Sequence, residues 1–296
     1  MAGRERGRAG SGVSPDRPVS EIQLRREEYR RGRTRRSTLI ALVSTLAFAA
    51  LCAATLLSSP GWSRVQEQFF DLEVARDSLP RILSGLWLNI RVLVVAAVCV
   101  LILGLTIAAL RTLRGPVFFP VRAVATVYTD LFRGMPLIIV LYLIGFGVPG
   151  LRLQGVPTSP VILGTVALVL TYSAYVAEVF RAGIESVHPS QRAAARSLGL
   201  SYRQSMRLVV LPQAVRRVTP PLLNDFVAMQ KDVGLISVLG AVDAVRAAQI
   251  ESAGLFDFTP YVVAGLLFVL LAVPSARVAD WYATRAVRRE QAGAVL

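Results

Sequence analysis

Along the chain, uncharged apolar runs long enough to cross a bilayer occupy residues 39–57, 92–110, 153–177 and 258–276. Two further stretches fit less cleanly. Residues 134–151 have a polar front half, and residues 218–242 are interrupted by Asp225, Lys231 and Asp232. The pattern predicts an all-α membrane protein with six transmembrane helices. Between the first two runs, residues 63–84 mix Phe69, Phe70, Leu72 and Val74 with acids and arginines, as an amphipathic helix lying along the outer surface would. In the segment from Val117 through YTDLFRGMPLIIVLYLIGFG, Pro120 and Pro136 are expected to kink or split the helix.

One polar insert breaks this apolar rhythm: HPSQRAAARSLGLSYRQSMRLVVLPQA, residues 188–214. Pro189 suits a first helical turn, and the alanines after it have the highest helix propensity. Gly199 is placed as a left-handed stop, and Ser201 with Gln204 forms an S-x-x-Q capping box that starts a second helix. Pro212 can open a third. Helix, sharp turn, helix makes a compact knob projecting from the membrane. Ala193, Ala194 and Ala195 give it low relief, Leu198, Leu200 and Met206 offer apolar contact, and Arg192, Arg196, Arg203 and Arg207 ring it. From the residues alone, a solvated basic loop is an equally good reading.

Charge fixes the expected orientation. The net +14 comes from 32 Arg and the single Lys231, and its distribution points to the membrane surface rather than to nucleic acid. With the amino terminus cytoplasmic, eleven Arg precede Leu39, three lie from Arg111 to Arg122, six lie from Val187 to Arg217, and Arg285, Arg288 and Arg289 close the chain. The outer segments are balanced or acidic, carrying Arg64, Glu67, Asp71, Glu73, Arg76, Asp77 and Arg81, then Asp243, Arg246, Glu251 and Asp257. Both termini are thus expected in the cytoplasm of a plasma-membrane protein, and the use of Arg in place of Lys suggests a GC-rich bacterial source. Residues 1–38, Arg-, Gly-, Ser- and Pro-rich, read as a disordered basic tail on the anionic inner leaflet. Arg35-Arg36 imitates a twin-arginine signal, but the run that follows is too long for one and reads as an uncleaved helix. Cys52 and Cys99 fall within spanning runs as apolar fillers, and a lone His188 argues against a metal site or a His-based catalytic pair.

The blocks AYVAEVFRAGIESVHPSQRAAARSLGLSYRQSMRLVVLPQAVRR and PPLLNDFVAMQKDVGLISVLG, with YTDLFRGMPLIIVLYLIGFG and SGLWLNIRVLVVA upstream, resemble the permease subunits of polar-amino-acid ABC importers. This is the histidine, glutamine, glutamate and arginine permease family, and the resemblance covers roughly residues 65–285. It implies a five-helix type I importer core at 85–281, preceded by an extra helix at 39–58 and an outer amphipathic segment at 59–84, and followed by a cytoplasmic tail at 282–296. It also implies that residues 183–212, which take in most of the insert, are the cytoplasmic EAA coupling loop, seated in a cleft of a separate ATPase. The motif falls on Gln191, Arg192, Ala193, Ala194, Ala195, Leu198 and Gly199, with Ala193 where the family usually has Glu. The implied partners are ABC ATPase subunits holding ATP and magnesium, a second permease subunit and an extracytoplasmic amino-acid-binding protein. The chain itself needs no cofactor.

Charged groups at bilayer depth are costly unless paired or hydrated. Glu178 and Arg181, spaced i,i+3, read as a cytoplasmic-end ion pair shaping the loop base, and Asp130 with Arg133 is read the same way. Arg111 and Arg114, like Asn89 and Arg91, are expected to snorkel. In the fifth span, Asn224, Asp225, Gln230, Lys231 and Asp232 either line a translocation path or form a structural ion-pair network. The family's usual Lys-Asp-Thr-Ser reads Lys231, Asp232, Val233, Gly234 here. No Walker A pattern occurs, so ATP hydrolysis is not expected on this chain. Alternatives are a related permease for methionine or an osmolyte, an ion-coupled carrier, and a membrane hydrolase built on His188 and Ser190.

Overall fold

The computed structural model describes residues 21–113 and 115–293, and all regular secondary structure among them is helical. The chain divides between Arg64 and Val65 into two units. In the first, α1 (Glu21–Leu57) carries the first apolar run, whose stretch Arg36–Leu57 has no buried residue. The helix begins inside the segment that composition marks as disordered. Glu and Arg recur there at four-residue spacing, a pattern that supports a helix without any core. Residues 1–20 of that basic tail lie outside the described residues.

The boundary falls inside α2 (Trp62–Phe69), and the second unit contains the rest; α3 (Leu72–Arg111) starts at Asp71, whose carboxylate accepts the amides of Glu73 at 2.8 Å and Val74 at 3.1 Å. The amphipathic segment is therefore one short helix plus the first turns of a spanning one. α4 (Phe119–Gly134) holds Pro120 in its first turn and meets α5 (Leu137–Tyr142) at a bend of 107°. Pro136 makes that break, because a residue before proline is pushed out of the helical region, and Met135 is extended at φ −97°, ψ 136°. A wide turn at Leu143–Gly147 joins α5 to α6 (Val148–Gly150).

α7 (Pro160–Glu185), α8 (Pro189–Ser197) and α9 (Tyr202–Ser205) lead through a second wide turn, Met206–Val210, into α10 (Leu211–Asp232). A 3₁₀ segment, Val233–Leu239, then ends at Gly240, and α11 (Ala244–Leu255) and α12 (Thr259–Gly293) complete the unit. Among the described residues, four helices are long and apolar enough to span, and up to six spans result when each of two bent pairs counts as one. The fifth span is such a pair, turning by 52° between Leu239 and Ala244. α12 continues as helix through the segment assigned to the carboxy-terminal tail; residues 294–296 lie outside the described residues.

The core is a three-helix seam. Val92, Ala96 and Val100 of α3 pack with Leu168, Tyr172 and Val176 of α7, and Met229 of α10 with Val233 and Ile236 beyond it closes the seam. Small residues of α3 let it approach α7 closely: Ala96 is fully buried in the seam, and a Cβ added at Gly104 would lie 2.7 Å from Val176 Cγ1. Asn89 departs from expectation. It is buried, donates from Nδ2 to Asp243 at 2.9 Å, and accepts the Ala244 amide on Oδ1 at 3.0 Å. Asp243 is itself fully buried and caps α11 by accepting the Arg246 amide at 2.9 Å. A side chain expected to snorkel instead fastens α3 to the start of α11, while Arg91 is exposed. Cys52 and Cys99 are free and exposed on their helices.

Candidate functional site

The insert is a rigid elbow with local reasons for each turn. His188 caps α8, its Nδ1 accepting the Ser190 amide at 3.2 Å. The helix ends at Gly199, where φ is +77°, a region that only glycine enters without strain. The Leu200 amide donates to Ala195 at 3.1 Å and the Gly199 amide to Arg196 at 3.0 Å, which is the paired bonding of a Schellman stop. The capping box forms next: the Gln204 amide donates to Ser201 Oγ at 3.3 Å, and Gln204 Oε1 accepts the Ser201 amide at 2.9 Å. Pro212 lies in the first turn of α10, with no break before it.

The elbow presents a smaller apolar face than its composition suggests. Ala193, Ala194 and Gln191 are exposed, and Leu198 is 82% exposed. Ala195 is buried, however, and Met206 packs beneath Val187, Val210 and Ala214 as part of the elbow's own small core. Arg192 does not ring the surface either. Its guanidinium donates to the Ile184 carbonyl at 2.6 Å, tying α8 back to α7. Arg196, Arg203 and Arg207 remain exposed.

Two attachments fix the elbow to the membrane helices. Arg217 of α10 donates to the carbonyl oxygen of Ser186 and, at 3.1 Å, to its hydroxyl. Beside it, α7 and α10 touch at Gly183, where an added Cβ would lie 2.0 Å from Val218 Cγ1. Glu178 stands just above this base and gathers three helices. It accepts both Arg181 of its own helix and Arg111 of α3 at 2.8 Å, and Arg133 of α4 lies 3.9 Å away. Arg181 also pairs with Glu185. The expected Glu178–Arg181 pair is thus the middle of a five-residue network. Arg111 joins this network instead of snorkelling, and Arg114 lies outside the described residues. The Asp130–Arg133 pair does not form: Asp130 is exposed, while Arg133 turns to Glu178 and to the Tyr175 ring, 5.9 Å from its centroid.

The five polar residues of α10 separate into three environments. Asn224 and Lys231 are exposed and share one face with Pro221 and Ala228, at helical spacing. Among the described residues, no carboxylate comes within ion-pair distance of Lys231. Asp232 is half-buried and accepts the Tyr172 hydroxyl at 2.8 Å. Asp225 is half-buried with one carboxylate oxygen unpartnered, and Gln230 is 3% exposed with neither amide atom bonded. Tyr172 was not a sequence candidate, since a tyrosine within an apolar run looks like a core residue. Among the described residues, Asp225, Lys231 and Asp232 form no ion pair with one another.

Known proteins place the chain. Residues 116–288 match the family model described as binding-protein-dependent transport system inner membrane component. The arginine transport system permease protein ArtQ of Bacillus subtilis is 33% identical over 202 residues, covering 68% of this chain and 90% of that protein. The glutamate/aspartate import permease protein GltK of Escherichia coli is 35% identical over 184 residues, covering 60% and 81%. A crystal structure of an amino acid ABC transporter with histidines superposes with a TM-score of 0.67 at 31% identity, covering 73% of this chain and 98% of that one. The inward-facing MetNI methionine ABC transporter, 18% identical with a TM-score of 0.57, shares the fold. The elbow, the α3–α7–α10 core and these matches agree, and the chain belongs to the inner-membrane components of binding-protein-dependent transport systems.

Proposed function

We propose that this chain is a permease subunit of an ATP-driven importer of polar amino acids, coupled through the elbow to a separate ATPase. The observation that carries the reading is the elbow itself: a short helix stopped by a strained-for-others glycine, clamped by Arg192 and Arg217, with Leu198 held out at 82% exposure. A solvated loop needs neither the clamps nor the projecting leucine. Gln191, Ala193, Ala194, Leu198 and Gly199 form the surface that the ATPase cleft receives, and Ala193 makes that surface apolar where the family usually places a carboxylate. Arg192 and Ala195 act from beneath, by fixing the helix.

In this reading the elbow and both termini are cytoplasmic, as the arginine distribution supports. ATP and magnesium belong to the partner. A second permease subunit covers the Pro221, Asn224, Ala228 and Lys231 face, which is too polar for lipid, and the path runs along it. An extracytoplasmic binding protein delivers the amino acid. The named relatives are permeases for arginine and for glutamate and aspartate, which supports polar amino acids over methionine or an osmolyte.

The test is uptake of labelled arginine, glutamine, glutamate and histidine by proteoliposomes holding the chain with its ATPase and binding protein. Leu198→Asp should abolish both uptake and stimulated ATP hydrolysis while the detergent-purified chain keeps its melting temperature. Unchanged coupling in that variant would overturn the reading.

A further inference from the structure

Opposite the elbow, two segments far apart in sequence form one aromatic corner. The Phe258 amide donates to the Gln68 carbonyl at 2.7 Å, and the Asp71 amide donates to Thr259 Oγ1 at 3.1 Å. Phe69 stacks on Phe258 with ring centroids 5.2 Å apart, and Tyr261 continues the stack at 6.4 Å. Around this clip the large side chains face outward: Phe70 and Leu72 at the start of α3, and Phe256 at the end of α11. Phe256 is the extreme case. It is 86% exposed and sits at φ +56°, where a bulky side chain is strained and glycine is the ordinary choice for a helix stop.

The surroundings of the corner identify what it meets. Phe258 and Tyr261 head the exposed stripe of α12 that continues through Leu266, Val269, Leu270 and Val273. The stripe ends at Trp281, with the Arg285 guanidinium 5.0 Å from its ring centroid. Tyr261 and Trp281 are about 30 Å apart at 1.5 Å per residue, the thickness of a bilayer's hydrocarbon layer. Aromatic rings at both ends of a lipid-length apolar stripe are the belts that settle at the headgroup boundary. In α2, Val65 and Phe69 share one face and Glu67 lies on the opposite one. We infer that the corner formed by Phe69, Phe70, Leu72, Phe256 and Phe258 is a membrane-interface anchor. It inserts into the headgroup and upper acyl region of the leaflet opposite the elbow, and it holds α2 along the membrane surface. The anchor does not depend on what the chain transports.

Nitroxide labels test this in the full chain, with Cys52 and Cys99 replaced by alanine, reconstituted in phosphatidylcholine–phosphatidylglycerol vesicles. One label is placed by Phe256→Cys, a second by Phe70→Cys in case the first variant fails to fold, and a third by Glu67→Cys. The labels at 256 and 70 should relax with oxygen and be shielded from a water-soluble nickel chelate, while the label at 67 should show the reverse. A nickel-accessible label at 256 or 70 would put the corner in water and overturn the anchor. Shielding from both relaxants would place protein there, either a second copy or another subunit, and would overturn it equally. So would oxygen accessibility that is lost whenever the binding protein is added.

Discussion

Gly199 offers a graded test of the elbow, because within this chain its substitution cost is conformational. The residue sits at φ +77°, and an added Cβ would meet no atom within 4 Å. Alanine would therefore clash with nothing in this chain and suffer only the penalty of the left-handed region, about 1–2 kcal/mol. The turn is exposed and held mainly by the two amide bonds to Ala195 and Arg196, so that penalty falls directly on its order. If the free turn is marginally ordered, the competent population drops by roughly 5- to 30-fold at most. Asparagine tolerates this region and should lose far less. Proline adds a second defect: its φ is fixed near about −65°, and it lacks the N–H that reaches Arg196. Affinity for the ATPase subunit, read by titration calorimetry, and stimulated ATP hydrolysis should both rank glycine, asparagine, alanine, proline in descending order. Alanine matching glycine, or asparagine falling below alanine, would refute the argument that backbone conformation at this residue sets the coupling.

Three other perturbations follow from named contacts. Asn89→Ala leaves the Ala244 amide and one Asp243 oxygen without partners in a buried place; a loss of about 2–4 kcal/mol is expected, visible as a lower melting temperature in detergent, and an unchanged value would deny that the clip matters. Glu178→Gln removes the charge shared by Arg111, Arg133 and Arg181 in a partly exposed setting, so about 1–2 kcal/mol should be lost; the difference from wild type should shrink in high salt, and a salt-independent loss would indicate packing instead. Lys231→Met should reduce uptake by at least about tenfold, the effect of a 1.4 kcal/mol contact, without lowering the melting temperature, since no carboxylate among the described residues pairs with it; a destabilised but fully active variant would move Lys231 out of the path.

The elements that could be read in advance were those governed by local rules. The break at Pro136, the Gly199 stop and the Ser201–Gln204 box depend on neighbours within a few residues, and each formed as its spacing indicates; of the apolar runs, 153–177 was displaced, with residues 153–159 outside any helix and α7 running from Pro160 to Glu185. What stayed hidden depends on partners remote in sequence. Asn89 meets Asp243 across 154 positions, Arg111 meets Glu178 across 67, and Tyr172 meets Asp232 across 60. No periodicity encodes such pairings, and an isolated arginine near a helix end reads as a snorkelling residue until the helix beside it is known. The elbow's alanines show the same limit on a smaller scale. Ala193, Ala194 and Ala195 look alike in sequence, and only the packing of α8 on the Met206–Val210 turn decides that the third is covered.

These remote contacts also determine how a push on the elbow would travel. α10 contains Pro220 and Pro221, which remove backbone bonds from its middle and would ordinarily make it a hinge. Both ends of the helix, however, are tied to α7. Near the elbow, Arg217 holds Ser186 and Val218 fills the space left by Gly183; fifteen residues beyond Arg217, Asp232 accepts Tyr172. A hinge whose two arms are fastened to the same straight helix has no free arm to swing. α7 and α10 should therefore tilt together. Because Lys231 stands about 30 Å along α10 from Leu211, a tilt of about 10° about the elbow would carry its face some ~5 Å. That displacement exceeds the N···O distance of an ion pair, so if the path runs along this face as proposed, motion of the elbow would make and unmake its contacts, with the proline pair shaping the helix rather than bending it.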